Sequence, residues 1–200
     1  MLGAIAPDSP AKALRRELSF AMGCGFELLL AVLALAWGWF FDQPVFTEMQ
    51  WSLNGVVVGI AAVIPPLAFF VWTLKSNLRL WRHHRELLES LFRPLFGRWS
   101  LLQLLAISLI AGVSEEAFFR GAVQGSLSER VGVILALVLA SGLFGACHLL
   151  TWTYAVIAAV IGAYLGLLWV WTGNLLTPMV THAVYDLAAL VYFLRVYRSE

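Results

Sequence analysis

An all-α bundle of about six membrane-crossing helices is the fold this sequence predicts. Three observations carry it. The 200 residues are 61% hydrophobic and only 12% charged, against about 45–50% and about 25% in a soluble domain. Six apolar stretches approach or exceed the roughly 20 residues that cross a bilayer. The Lys and Arg residues gather in alternate connections, as the positive-inside rule requires of a multi-pass chain. A net charge of +1 offers no global electrostatic partner, so nucleic acid is not an expected partner and the lipid bilayer is.

Taken in order, residues 1–17 form a polar N-terminal segment with Pro7, Asp8, Pro10, Lys12, Arg15 and Arg16. The first apolar run, 18–40, is longer than a signal-peptide core and is not followed by a small-residue cleavage site, so it reads as a true span. The connection 41–52 carries Asp42 and Glu48 but no Lys or Arg. The second span, 53–74, contains Pro65-Pro66, which should kink or break it. The connection 75–99 carries Lys75, Arg79, Arg82, Arg85, Arg93 and Arg98. The remaining spans are 100–122, 131–150, 154–172 and 176–194, and Arg195 and Arg198 follow them. This charge pattern places the N-terminus, the 75–99 loop and the C-terminus in the cytoplasm. The expected organisation is therefore a segment 1–17, two helices and a basic loop over 18–99, and a four-helix core over 100–195.

Within the basic loop, Leu80, Leu87, Leu88, Leu91, Phe92 and Leu95 recur at helical spacing, with Trp81 and Trp99 near its ends. That pattern suits an amphipathic helix in the cytoplasmic interface. A solvated linker fits equally well, and Pro94 would end or kink a helix there. Gly55/Gly59, Gly121/Gly125 and Gly162/Gly166 are small-xxx-small pairs that let helix backbones approach closely. Cys24 and Cys147 form no CxxC pair and read as small core hydrophobes.

The chemistry lies in the polar residues of the apolar core. Glu115, Glu116 and Arg120 fall within six residues of the third span, where each ionised group costs roughly 2.5–3.5 kcal/mol on insertion scales. On a helix Glu116 and Arg120 are i and i+4 and share a face. Glu115 lies about 100° around the axis. One carboxylate can thus be neutralised by arginine while the other points into a cavity. Phe144 and His148 are also i and i+4, as are His182 and Asp186, with Asn174, Thr177 and Thr181 adding polarity upstream and Pro178 suited to a first helical turn. An intramembrane ion pair and satisfied core histidines would explain each feature singly. Their concentration between residues 100 and 190 points to a shared polar cavity, since the first two spans offer only Glu27.

Glu-Glu-x-x-x-Arg, Phe-x-x-x-His and His-x-x-x-Asp, in this order over residues 100–190, resemble the motifs of the CPBP family, the CAAX prenyl endopeptidases and bacteriocin-processing proteins, also called the Abi group. The resemblance implies a glutamic-type intramembrane endopeptidase in a bacterial plasma membrane. Its partner would be a membrane-associated peptide or protein substrate, lipidated or not. It implies that Glu115 and His148 activate a water, that His182 and Asp186 stabilise the oxyanion, and that Glu116 and Arg120 shape the site. Asparagine is commoner than aspartate at the position of Asp186. An ionised aspartate cannot donate to an oxyanion, so it must be protonated or orient His182 instead.

Two alternatives stand beside this reading. The same chemistry could use zinc held by Glu115, His148 and His182, although HExxH is absent; the first reading needs no cofactor. A non-catalytic binding, assembly or transport protein could also carry such residues, against which the chain is short and lacks duplicated halves. Geometry adds a demand. Straight spans with these bounds put His148 near one membrane face, His182 toward the other and Glu115 between. Tilted or broken helices, or a re-entrant 173–181 segment, are needed to bring them together.

Overall fold

A computed structural model describes residues 10–197. Of the polar ends, Pro7, Asp8 and Arg198 lie outside the described residues. Everything regular among the described residues is helical. The elements are α1 (Pro10–Phe40), α2 (Leu53–Ala61), α3 (Ile64–Lys75), α4 (Arg79–Leu87), α5 (Arg93–Phe96), α6 (Leu101–Glu116), α7 (Gly125–Val131), α8 (Val133–Cys147), α9 (Trp152–Thr172) and α10 (Leu176–Val191). Three π-helical turns, Leu88–Phe92, Ala117–Gln124 and Tyr192–Val196, continue α4 into α5, α6 into α7, and the end of α10.

Five of these helical stretches are long and apolar enough to cross a membrane: Ala11–Phe40, Leu53–Lys75, Leu101–Val131, Trp152–Thr172 and Leu176–Val196. The sixth expected span is shorter than anticipated. α8 has 15 residues, about 22 Å of helix, because Gly132 with φ 84° starts it and His148 ends it. The Nδ1 atom of His148 lies 2.8 Å from the carbonyl of Phe144, so the side chain takes one of the carbonyls that a continuing helix would use.

Local signals set the other boundaries. Ser100 and Gln103 form a reciprocal capping box that starts α6. Thr151 caps α9 through the amide of Tyr154, and Gly173 in the left-handed region ends it. Pro65 and Pro66 occupy the first turn of α3, and the second span breaks at Ala62–Val63, as two prolines demand.

The basic loop folds as the amphipathic helix rather than the solvated linker. Its row His84, Leu88, Phe92 and Phe96 turns inward along one face, across the π-turn. Pro94 falls in the first turn of α5, where its missing N–H leaves no gap. Arg85 donates to the carbonyls of Leu74 and Ser76 and ties α4 to the end of α3.

Two apolar clusters bracket the centre of the bundle. One joins Ala34, Val45, Ala117, Ala122, Trp169, Leu175 and Met179. The other joins Leu74, Leu88, Trp99, Leu104, Phe193 and Leu194 beneath the amphipathic helix. The glycine pairs mark close approaches, with one correction. A Cβ on Gly59 would stand 2.8 Å from the carbonyl of Thr177, a true helix–helix contact. A Cβ on Gly121 would stand 2.6 Å from the carbonyl of Val45, so that pair admits the 41–52 connection, not a helix. The cysteines also differ from expectation: Cys147 is exposed on the outer face and Cys24 half-buried, because α8 and α1 turn those positions away from the core.

Candidate active site

The depth problem resolves through helix lengths. From the corner at Gly132, Glu115 is 16 residues back from Val131 along the α6–α7 rod, about 24 Å at a rise of roughly 1.5 Å per residue. His148 is 15 residues forward from Val133, about 22 Å. Two antiparallel rods leaving one corner therefore place both residues at the same level.

His182 arrives by a different device. α10 begins at Leu176, so residues 176–181 are regular helix and not part of a re-entrant segment. Asn174 holds its start against the 41–52 connection: Oδ1 accepts from the amides of Gln50 (2.9 Å) and Leu176 (3.0 Å), and Nδ2 donates to the carbonyl of Gln50 (2.9 Å). The amide of Leu175 donates to the carbonyl of Glu48 at 3.0 Å. Further along, Gly112 lets α10 press against α6, since a Cβ there would lie 2.7 Å from the backbone nitrogen of Ala183.

The two adjacent carboxylates then separate as the helical repeat requires. Glu116 is fully buried and accepts from Arg120 Nη1 at 2.7 Å. The other arm of Arg120 donates to the carbonyl of Gly162 at 2.7 Å, and its guanidinium lies 4.8 Å from the ring centre of Phe144. Glu116 Oε1 also lies 2.8 Å from His182 Nδ1, and His182 Nε2 lies 3.5 Å from Asp186. The result is a chain of alternating groups, Arg120–Glu116–His182–Asp186. Asp186 here flanks the imidazole.

Glu115 faces the other way. Its Oε2 is buried, has no hydrogen-bond partner among the described residues, and stands 3.9 Å from His148 Nε2. The imidazole of His148 is stacked on Phe144 with ring centres 4.4 Å apart, and its Nδ1 is held by the Phe144 carbonyl, so Nε2 is aimed at the carboxylate. Glu115, His148, His182 and Asp186 all line one cavity of about 320 Å³, walled largely by apolar and aromatic side chains. The π-helical turn beginning at Ala117 directly follows the two glutamates, a distortion that recurs at functional sites.

Among the described residues no group of three or more His, Cys, Asp or Glu side chains is placed to hold one metal ion.

Six further polar residues line the cavity without having been singled out as site residues: Glu27, Thr73, His84, Ser108, Tyr154 and Tyr185. Glu27 is a lone carboxylate in an otherwise apolar span, which is itself a signal. His84 occupies the inward row of the amphipathic helix, four residues before Leu88. It is 5% exposed and stacks on Tyr154 with ring centres 5.9 Å apart. Burial pushes its imidazole below the usual histidine range. The tyrosines gave no pattern distinct from core aromatics.

Comparisons with known proteins place part of the chain beside a known family. The chain is 26% identical over 171 residues to the uncharacterized protein YpbD of Bacillus subtilis (strain 168), covering 80% of this chain and 82% of that one. No solved structure matches. The family model that matches, over residues 97–188, is described as type II CAAX prenyl endopeptidase Rce1-like. It spans α6 to α10, the elements that carry Glu115, His148 and His182. Those residues thus lie in a segment similar to the Rce1-like CAAX prenyl endopeptidases, and the chain that holds them is an integral multi-pass membrane protein.

Proposed function

We propose that the chain is a glutamic-type intramembrane endopeptidase that hydrolyses a peptide bond of a membrane-associated protein or peptide. The observation that carries this reading is the pair Glu115 Oε2 and His148 Nε2, 3.9 Å apart on the wall of an apolar cavity, with the carboxylate oxygen otherwise unpartnered. A water bridging that gap can hydrogen-bond to both groups.

Glu115 takes one proton from this water while His148 orients it, and the oxygen attacks the scissile carbonyl carbon. The carbonyl π electrons move to oxygen and form an oxyanion. His182, protonated between Glu116 and Asp186, presents Nε2–H to that oxygen. Collapse breaks the C–N bond, and the proton held by Glu115 passes to the leaving nitrogen. A carboxyl and an amine result, and Glu115 returns to its starting state. Arg120 takes no part in the bond changes. It keeps Glu116 charged and in place, which in turn fixes the His182 ring.

No step requires a metal. The cavity suits a hydrophobic or lipidated substrate segment, since its walls are mostly apolar. Lys12, Arg15 and the basic residues of 75–99 support a cytoplasmic placement of the amphipathic helix and both termini in a plasma membrane.

The test uses purified protein in lipid nanodiscs with membrane-anchored reporter peptides, prenylated and not. Glu115→Gln and His148→Ala should each lower the hydrolysis rate by about 10²–10⁴, and a chelator should leave the wild-type rate unchanged. Turnover retained by Glu115→Gln would remove the mechanism.

A further inference from the structure

We propose that Glu27 makes the cavity a receptor for a cationic side chain of the substrate, so that the segment drawn into the site carries a lysine-like ammonium close to the bond to be cut. The proposal rests on the hydrolytic reading above and adds the substrate's charge to it. Glu27 comes from α1, outside the family-matched residues 97–188. Its Oε2 accepts from Ser114 Oγ at 2.9 Å, which fixes the carboxylate beside α6. The half-buried side chain lines the cavity, within electrostatic reach of His182, Asp186 and Glu115.

The charge balance of the cavity wall points to a cation. Glu27, Glu115 and Asp186 line it, and among the described residues no Lys or Arg does. Arg120 is sealed behind the wall by Glu116 and the Gly162 carbonyl. His148 faces Glu115 and His182 faces Glu116 and Asp186, which leaves Glu27 as the carboxyl on this wall without an ion-pair partner among the described residues. An anionic group entering this low-dielectric space meets repulsion, and a cation meets attraction.

Among the described residues, three buried atoms at the wall lack hydrogen-bond partners: Glu115 Oε2, His84 Nδ1 and Ser108 Oγ. All three residues are more than nine-tenths buried. An ammonium brings three N–H donors and no acceptor, and a carboxylate, a hydroxyl and a neutral imidazole can each accept from one. Phe70, Phe92, Tyr154 and Tyr185 add aromatic walls, whose faces attract a desolvated cation.

The experiment compares short internally quenched apolar peptides that carry Lys, norleucine or Glu at one position at a time. Binding and hydrolysis are both measured with the full chain in nanodiscs. The Lys peptide should bind and react about tenfold better than its norleucine twin at one position, roughly the effect of one added ionic contact. The Glu peptide should be the poorest. Glu27→Gln should erase the Lys advantage over norleucine, and Glu27→Lys should shift the preference to the Glu peptide. Equal binding of Lys and norleucine peptides at every position overturns the proposal, as does a Lys preference that survives Glu27→Gln. A Lys preference in binding without any hydrolysis upholds this inference and defeats the peptidase reading instead.

Discussion

Gly112 and Ala183 meet where a side chain on the glycine would collide with the neighbouring backbone. A Cβ at position 112 would stand 2.7 Å from both the backbone nitrogen and the Cβ of Ala183. Ala183 directly follows His182 on α10, and the 2.8 Å contact from His182 to Glu116 depends on that approach. Gly112→Val should push α10 off α6 and lower the hydrolysis rate by about 10²-fold, the order expected when a catalytic group is misplaced by about 1 Å. It should also lower the melting temperature. Gly142 is the control: it lies in α8 with nothing within 4 Å of its virtual Cβ. Gly142→Ala should leave the rate unchanged and gain up to about 1 kcal/mol in helix stability. Equal rates for Gly112→Val and wild type would break the link between packing and site.

Glu116 and Arg120 should behave as a structural unit. Each is buried, and each is the other's main counter-ion at 2.7 Å. Arg120→Ala strands a carboxylate in the bundle and should cost about 3–5 kcal/mol. Replacing both residues by apolar groups of similar size, Glu116→Leu with Arg120→Met, should recover most of that loss without recovering activity, because His182 then has no partner at Nδ1. Thermal unfolding of the two singles and the double gives the coupling energy directly. Additive losses would show that the pair does not act as one.

Glu115 should show the opposite signature. Its buried Oε2 has no hydrogen-bond partner among the described residues, which costs stability. Glu115→Gln should therefore abolish turnover while the melting temperature stays the same or rises. A Glu115→Gln protein that melts well below wild type would assign this carboxylate a structural role like that of Glu116.

The contrast between these neighbours was legible in the chain, since an i, i+4 arginine exists for Glu116 and none for Glu115. The motif residues, the membrane class and the break at Pro65-Pro66 were legible for the same reason: each depends on local spacing or composition. The convergence of His148 with Glu115 was not. It depends on α8 being shorter than a full crossing, and a helix end set by a histidine side chain on its own i−4 carbonyl leaves no mark in hydropathy. The level of His182 was hidden too, because Asn174 sets it through the connection 41–52, more than a hundred residues away in sequence. Glu27 was visible as an isolated acid but not as a wall of the cavity, since α1 meets α6 only in the folded bundle.

His84 gives the amphipathic helix a dependence on pH. The side chain is buried on the inward row of α4, its Nδ1 has no partner, and desolvation lowers its pKa below the ordinary value of about 6.5. The imidazole is thus neutral in the fold, while the unfolded chain takes up a proton at the ordinary value. Stability from this group is complete above about pH 6.5 and falls as pH drops below it, levelling off only beneath the lowered folded value. Melting temperatures at pH 7.5 and 5.5 should therefore differ in wild type, and the difference should shrink in His84→Phe, which keeps the ring stack on Tyr154 without the titration. A cysteine in place of Leu88, the next residue on the inward row, labelled from the aqueous side, would locate the loss: its labelling should rise at low pH beside His84 and not beside His84→Phe. An identical pH response in the two proteins would show that protonation of His84 does not loosen the helix that covers the cavity.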